Sequence, residues 1–469
     1  MFEPAYQADV VVVGAGIAGL AAAQRLTSAG VTTTVLEAAH TVGGRMATEK
    51  VDGFRLDRIG QLLSTAYPEL RRTPGLDGLA LLPFAPGVLL HSEGRHHRAG
   101  APAGVRSARG ARGALHAVRA LASAPRSIPA PRRTVNAPGP SGGPAALRAR
   151  AGAPLGTAVD QARLGAALAR LAHTPAERLL ARPELPAARA LAARGLPART
   201  IEGFLRPLLA ALLCDPDLTT SSRCADLALR AFACGRLALP EGGAEALPEH
   251  MARSLPPGTV RTGVRVTSVA TNAVTTAEHG VIRCRAVLVA TDARAAAELL
   301  PGLRVPDFHP VTVVHHTTDE PPTSGASLLL DADRGGPVAH TALTSQVDPS
   351  RAPAGRTLVS STVLGPPPPD LDTAVRIHLS RLYGTPTTRW ETLAVHHTPE
   401  AVPAMRPPHD PRRPVRLLAG LYVCGDHRDT STPQGALHSG HRASAAILSD
   451  LGAGRPMHAA EPTATAHAA

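Results

Sequence analysis

The sequence predicts a two-domain α/β protein, with an α+β unit inserted into a domain built on a parallel sheet. Three observations predict it. Residues 10–13 (VVVV) are a short, continuously apolar run, as expected of a buried parallel strand. GAGIAGL follows at once and opens a helical stretch over 18–29 that closes at Gly30, and VTTTVLE at 31–37, rich in β-branched residues, makes the next strand. Finally, 469 residues exceed what one hydrophobic core accommodates, so a second domain is expected.

Beyond this βαβ unit the texture changes from about residue 85. The stretch 123–144 is rich in Pro, Gly and Ser and reads as a flexible crossover. Helical patterns return over 157–180, 197–213 and 222–234. Residues 260–270 read as a strand, 273–284 as a hairpin and 285–291 as another apolar strand. Residues 308–400 mix short strands with proline-rich loops, 421–426 form a last buried strand and 434–451 a last helix. The tail over 453–469 reads as disordered. No internal repeat is visible.

Composition narrows the class. The hydrophobic fraction is 44%, and no apolar run reaches the roughly 20 residues that span a bilayer. The start lacks a basic segment and a small-residue cleavage site, so no signal peptide is read and a cytoplasmic address is expected. The net charge of +12 suggests a polyanion partner, but Lys50 is the only lysine and the arginines are scattered among alanine and proline. Aromatics are 2%, too few for base-stacking platforms, so no nucleic-acid partner is expected. Cys214, Cys224, Cys234, Cys284 and Cys424 form no C-x-x-C pair and read as buried reduced thiols.

The chemistry starts at Gly14, Gly16 and Gly19, a G-x-G-x-x-G between strand and helix. Its glycines supply a tight turn, close backbone approach to a diphosphate, and helix–strand packing; the helix N-terminus presents free N–H groups to the phosphates. Glu37 ends the second strand, where an acid accepts hydrogen bonds from ribose hydroxyls and repels a 2′-phosphate, disfavouring NADP. Ala15 and Ala38, beside these residues, belong to the same expected contact set. The order strand, glycine turn, helix, strand, acid predicts a Rossmann-like FAD/NAD(P)-binding domain.

Two further segments bear on which dinucleotide. HTVGGRMAT at 40–48 and LYVCGDHRDTSTPQGALHSGHRAS at 421–444 resemble the flavin amine oxidase, phytoene desaturase and protoporphyrinogen oxidase superfamily, and RPLLAALLCDPDLTTSS at 206–222 with LALPEGGAEALPEHMA at 237–252 resembles its bacterial, phytoene-dehydrogenase-like branch. The resemblance implies a glutathione-reductase-like FAD domain and non-covalent FAD, since no cysteine matches a covalent link. It implies that Gly44 and Arg45 reach the diphosphate, that Gly425 and Asp426 lie at the ribitol chain, and that Gly435 and Ala436 place backbone amides near the flavin ring. Weaker matches place Val266 at the adenine end and Gly60 and Gln61, in DRIGQLLSTAYPEL (57–70), near the ring. The expected division assigns 1–85, 236–300 and 412–452 to the FAD domain and 86–235 and 301–411 to the substrate domain.

The sequence departs from the family's amine oxidases. Those carry a lysine near the flavin and an aromatic pair around the amine. Lys50 sits beside the Gly-Gly-Arg turn instead, and Thr432, Pro433 and Gln434 occupy the stretch of one cage residue. The expectation is therefore dehydrogenation of an apolar small molecule, with oxygen, a quinone or another soluble acceptor taking the electrons. An amine- or porphyrinogen-oxidase reaction and a non-catalytic FAD scaffold stand as alternatives. The catalytic base is not identified. Arg58, Gln61, His427 and Arg428 are candidate polar groups near the flavin. His315–His316 and His396–His397 can line the substrate domain, but neighbours on a strand point to opposite faces, so no metal site is expected.

Overall fold

The computed structural model describes residues 8–100 and 154–452; the crossover expected over 123–144 and the tail over 453–469 lie outside the described residues. Five parallel strands, in the order Val260–Thr262, Thr33–Glu37, Val10–Val13, Ala286–Val289 and Leu421–Val423, form one sheet, edged by antiparallel Arg416–Leu418. Start, middle and end of the chain thus lie side by side. Alternate residues of the opening strand serve opposite faces. Val10 and Val12 pack with Leu20, Leu288 and Leu437 beneath helices Ile17–Ser28 and Pro433–Leu451, while Val11 and Val13 pack with Val274, Ile282 and Leu300. Both faces being covered is why VVVV shows no polar alternation.

A second, seven-stranded sheet runs Glu391–Pro403, Phe308–Thr318, Thr357–Leu364, Val338–Leu343, Leu329–Asp331, Val88–Ser92 and Arg95–Ala99. One of its faces is covered by the helices between Ala158 and Cys234, and helix Leu371–Tyr383 packs on the other. The hairpin over 88–99 was not foreseen in the sequence. Helix Ala158–His173 starts at a capping box, Thr157 with Asp160. The helix expected over 197–213 contains a π-turn, Ile201–Leu205, ending two residues before Pro207, whose missing N–H interrupts the ordinary i→i−4 ladder.

One expectation is corrected. Residues 260–270 are two strands, not one: Val260–Thr262 joins the parallel sheet, and Val266–Val269 opens a meander with Ala273–Thr276 and Gly280–Arg283. Gly263, at φ +71°, turns the chain between them. All five cysteines are free; four are buried and Cys234 is half-buried. Among the described residues no helix is long and apolar enough to cross a membrane.

Candidate functional site

The loops after the parallel strands meet around a cavity of about 580 Å³, within the range of cofactor sites. Gly14 turns the chain out of the first strand at φ +107°, and its N–H donates to Leu36 O at 2.8 Å. A Cβ there would stand 2.9 Å from the Ala290 carbonyl oxygen, and one on Gly19 would stand 2.1 Å from that of Gly14. Both positions are closed by backbone. Gly16 differs: a Cβ would meet nothing within 4 Å, and one on Gly44 would meet only Gly16 Cα, at 3.9 Å. Gly16 therefore presents open space at a helix N-terminus, with Gly44 packed beside it, a place suited to a diphosphate.

Glu37 is held by two amides. Ala15 N–H donates to its Oε2 and Ala39 N–H to its Oε1, both at 2.8 Å. The amide of Ala15 thus orients the acid, and Ala15 does not line the cavity; nor does Gly19, whose part is packing. Ala38 and Val266 do line it.

Arg45 joins the motifs from the two ends of the chain. Its Nη2 pairs with Asp426 Oδ1 at 2.6 Å and its Nη1 donates to Ala401 O at 2.7 Å. Gly425 N–H donates to Ser439 Oγ at 3.0 Å, fixing the approach to Asp426. Thr432 caps the last helix, accepting from Gly435 N–H at 3.2 Å. Ala436 lines the cavity, whereas Gly435 is buried beneath Thr430. Gln61 lines it too and donates from Nε2 to Ser431 O at 3.3 Å. Gly60 instead faces Thr362 and Val313 of the seven-stranded sheet.

The remaining candidates separate. Arg58 is exposed and does not line the cavity. His427 is buried just behind Gly425, with no partner on either ring nitrogen, and burial pushes it down to about 4, so it is neutral at pH 7. Arg428 is half-buried against the carbonyl of Pro414. Lys50 pairs with Glu245 at 2.9 Å on the surface. The histidine pairs do split across the sheet: His315 bonds Asp57 O, whereas His316 reaches Asp372. His396 meets Glu49 and His397 meets Thr312.

Asp292 was missed. It lines the cavity and caps helix Ala293–Leu299, accepting from Arg294 N–H at 3.0 Å and Ala295 N–H at 2.9 Å. The signal was present, an Asp between an apolar strand and an alanine-rich helix. A second cavity, of about 480 Å³, abuts the first at Thr432. Its lining mixes apolar side chains, Leu180, Leu213, Leu227 and Met405, with Tyr67 and with charged groups, Arg72, Glu177, Arg230, Arg412 and Asp429.

A family model described as flavin containing amine oxidoreductase matches residues 17–448. A putrescine oxidase of Kocuria rosea is 53% identical over 68 residues, 14% of either chain. A 4,4'-diapophytoene desaturase of Staphylococcus haemolyticus (strain JCSC1435) is 52% identical over 48 residues, 10% of either chain. These matches thus take in only a small part of the relatives' own lengths. Among solved structures, an oxidoreductase from Methanosarcina mazei superposes with a TM-score of 0.65 at 16% identity, covering 92% of this chain and 99% of that one.

Proposed function

We propose a desaturase-type reaction for this chain, from the premise that it belongs to the flavin containing amine oxidoreductase family and is an FAD-dependent oxidoreductase. Bound FAD supplies a two-electron acceptor for a hydride leaving a substrate carbon. The chain's own residues do the rest. The Gly14–Gly19 turn and Gly44 leave the diphosphate its place, with Arg45 beside it as a fixed cation. Glu37, held by two amides, takes the ribose hydroxyls. Asp426 takes the ribitol chain, and the N-terminus of the last helix, capped by Thr432, favours negative charge developing near the ring. No cysteine lines the cavity, in keeping with FAD held without a covalent bond.

One observation carries the choice of reaction. The chain's only lysine is on the surface in an ion pair with Glu245, and among the described residues no aromatic side chain lines the cofactor cavity. The lysine and aromatic cage expected of an amine oxidase therefore have no counterpart in it. The neighbouring cavity sets Leu180, Leu213, Leu227 and Met405 beside charged groups, and its apolar part is the place for an apolar or alicyclic substrate. Much of the catalysis then rests on holding a substrate carbon close to the acceptor rather than on a dedicated base. Electrons leave to oxygen, a quinone or another soluble acceptor.

The test is anaerobic addition of polyene, porphyrinogen and amine panels to the purified flavoprotein, following visible absorbance. Bleaching by apolar donors and not by amines is expected. Bleaching by amines alone overturns the reading.

A further inference from the structure

The register of the seven-stranded sheet places His91 opposite Asp331 on one neighbouring strand and opposite His96 on the other. Asp333, two residues past the strand end, folds back over the same spot. One ligand atom from each of His91, Asp331 and Asp333 lies within 4.8 Å of the others. We propose that these three side chains bind a divalent d-block cation such as zinc, remote from the cofactor cavity, which none of them lines.

The hydrogen bonds around the cluster favour a ligand set over a closed ion-pair network. Asp331 is buried and well oriented. His378 Nδ1 accepts from Val338 N–H at 3.1 Å, so the neutral ring carries its proton on Nε2 and donates it to Asp331 Oδ2 at 3.0 Å. Gly335 N–H donates to the same oxygen at 2.7 Å, and Asp333 N–H to Oδ1 at 3.1 Å. Asp333 is fixed in turn by the Ser92 hydroxyl and the Glu93 N–H, each at 2.7 Å. Outer hydrogen bonds of this kind orient carboxylate ligands and leave lone pairs free.

His91 has no such partners. Both of its ring nitrogens are buried without a hydrogen bond, and its side chain is only 11% exposed. Its Nδ1 stands 3.9 Å from Asp331 Oδ1. That is too long for a hydrogen bond, yet less than twice the roughly 2.0–2.2 Å of a metal–ligand bond, so one ion can join both atoms. His96 lies edge-on to His91 at 6.0 Å and supplies no bond to it. Burying an imidazole with neither nitrogen satisfied is costly, and a cation bound at Nδ1 removes the part of that cost that falls on this nitrogen. An imidazole with two carboxylates suits zinc, manganese or cobalt better than magnesium or calcium. Asp333 is exposed, so the remaining coordination positions face solvent. The ion pins the outer hairpin, Val88–Ser92 with Arg95–Ala99, to strand Leu329–Asp331.

Untagged flavoprotein, stripped with a chelator, is dialysed against zinc and its metal content measured; cobalt replaces zinc as an optical probe. The expected result is about one equivalent per chain, a melting temperature raised by zinc, and visible cobalt bands. His91→Gln and Asp333→Asn both lose the metal and the melting shift while keeping flavin content and far-UV circular dichroism. Asp333 is exposed, so its variant remains informative if the His91 variant fails to fold. Absence of stoichiometric zinc in the wild type, or undiminished zinc in folded variants, overturns the proposal.

Discussion

At the scale of single residues, the glycine fingerprint separates into positions that serve the fold and one that serves the ligand. Gly16 has φ −72° and ψ 170°, which alanine adopts without strain, and open space where its Cβ would go. Gly19 has the Gly14 carbonyl oxygen 2.1 Å from that position. Gly19→Ala is therefore expected to destabilise the protein by about 1–3 kcal/mol or more, through overpacking against backbone. Gly16→Ala should leave urea unfolding of flavin-free protein within about 0.5 kcal/mol of wild type while weakening FAD binding by on the order of tenfold or more. Titrating FAD into both variants checks this, and equal flavin affinity for Gly16→Ala and wild type would sink it. The sequence showed the three glycines as one motif. Their separate tasks were legible, but the contacts that enforce them were hidden, because they depend on what stands opposite each, and for Gly14 that is Ala290, far along the chain.

At the scale of elements, what could be read in advance follows from how each strand is buried. Val10–Val13 and Ala286–Val289 were legible because their apolar runs are buried on both faces. Strand Arg95–Ala99 reads RHHRA and lies at a sheet edge, and much of Glu391–Pro403 is polar and exposed, so neither carries an apolar signature. The histidines of the large sheet carry a pH dependence no pattern reveals. Burial pushes His315, His316 and His340 down to about 4, while His340 Nδ1 finds no partner. Unfolded, each titrates near 6.5, so between these values the unfolded chain binds more protons and stability falls as pH falls. Each contributes a loss on the order of 1–2 kcal/mol between pH 7 and pH 5. His340→Gln should remove about that much of the difference between urea unfolding free energies at the two pH values. An unchanged difference would assign the acid sensitivity elsewhere.

At the scale of the whole molecule, two small sheets are coupled to the flank of the seven-stranded sheet through Arg351, a residue only 1% exposed. Its Nη1 pairs with Asp57 at 2.6 Å, its Nε with Asp348 at 3.0 Å, and its Nη2 donates to Pro240 O at 3.0 Å. Asp57 also receives the Thr48 hydroxyl and Ala244 N–H, each at 2.8 Å, and Asp348 receives Gly242 N–H at 2.8 Å. One buried cation thus ties the hairpin Thr48–Val51 with Phe54–Asp57 and the loop after Leu237–Pro240 to the segment following Val338–Leu343. Three and four residues beyond Asp57 come Gly60 and Gln61, the latter in the cofactor cavity, so the clamp also positions that wall. Arg351→Ala leaves two buried carboxylates without their cation, a change that costs about 3–5 kcal/mol, whereas removing an exposed pair such as Arg389 with Glu320 costs about 1 kcal/mol or less. The wild type should release flavin and lose circular dichroism in one coincident urea transition. In Arg351→Ala flavin release should come first, because the Gln61 wall loosens before the sheets unfold. Coincident transitions in the variant, at any midpoint, would show that Arg351 stabilises the fold without coupling it to the cofactor cavity.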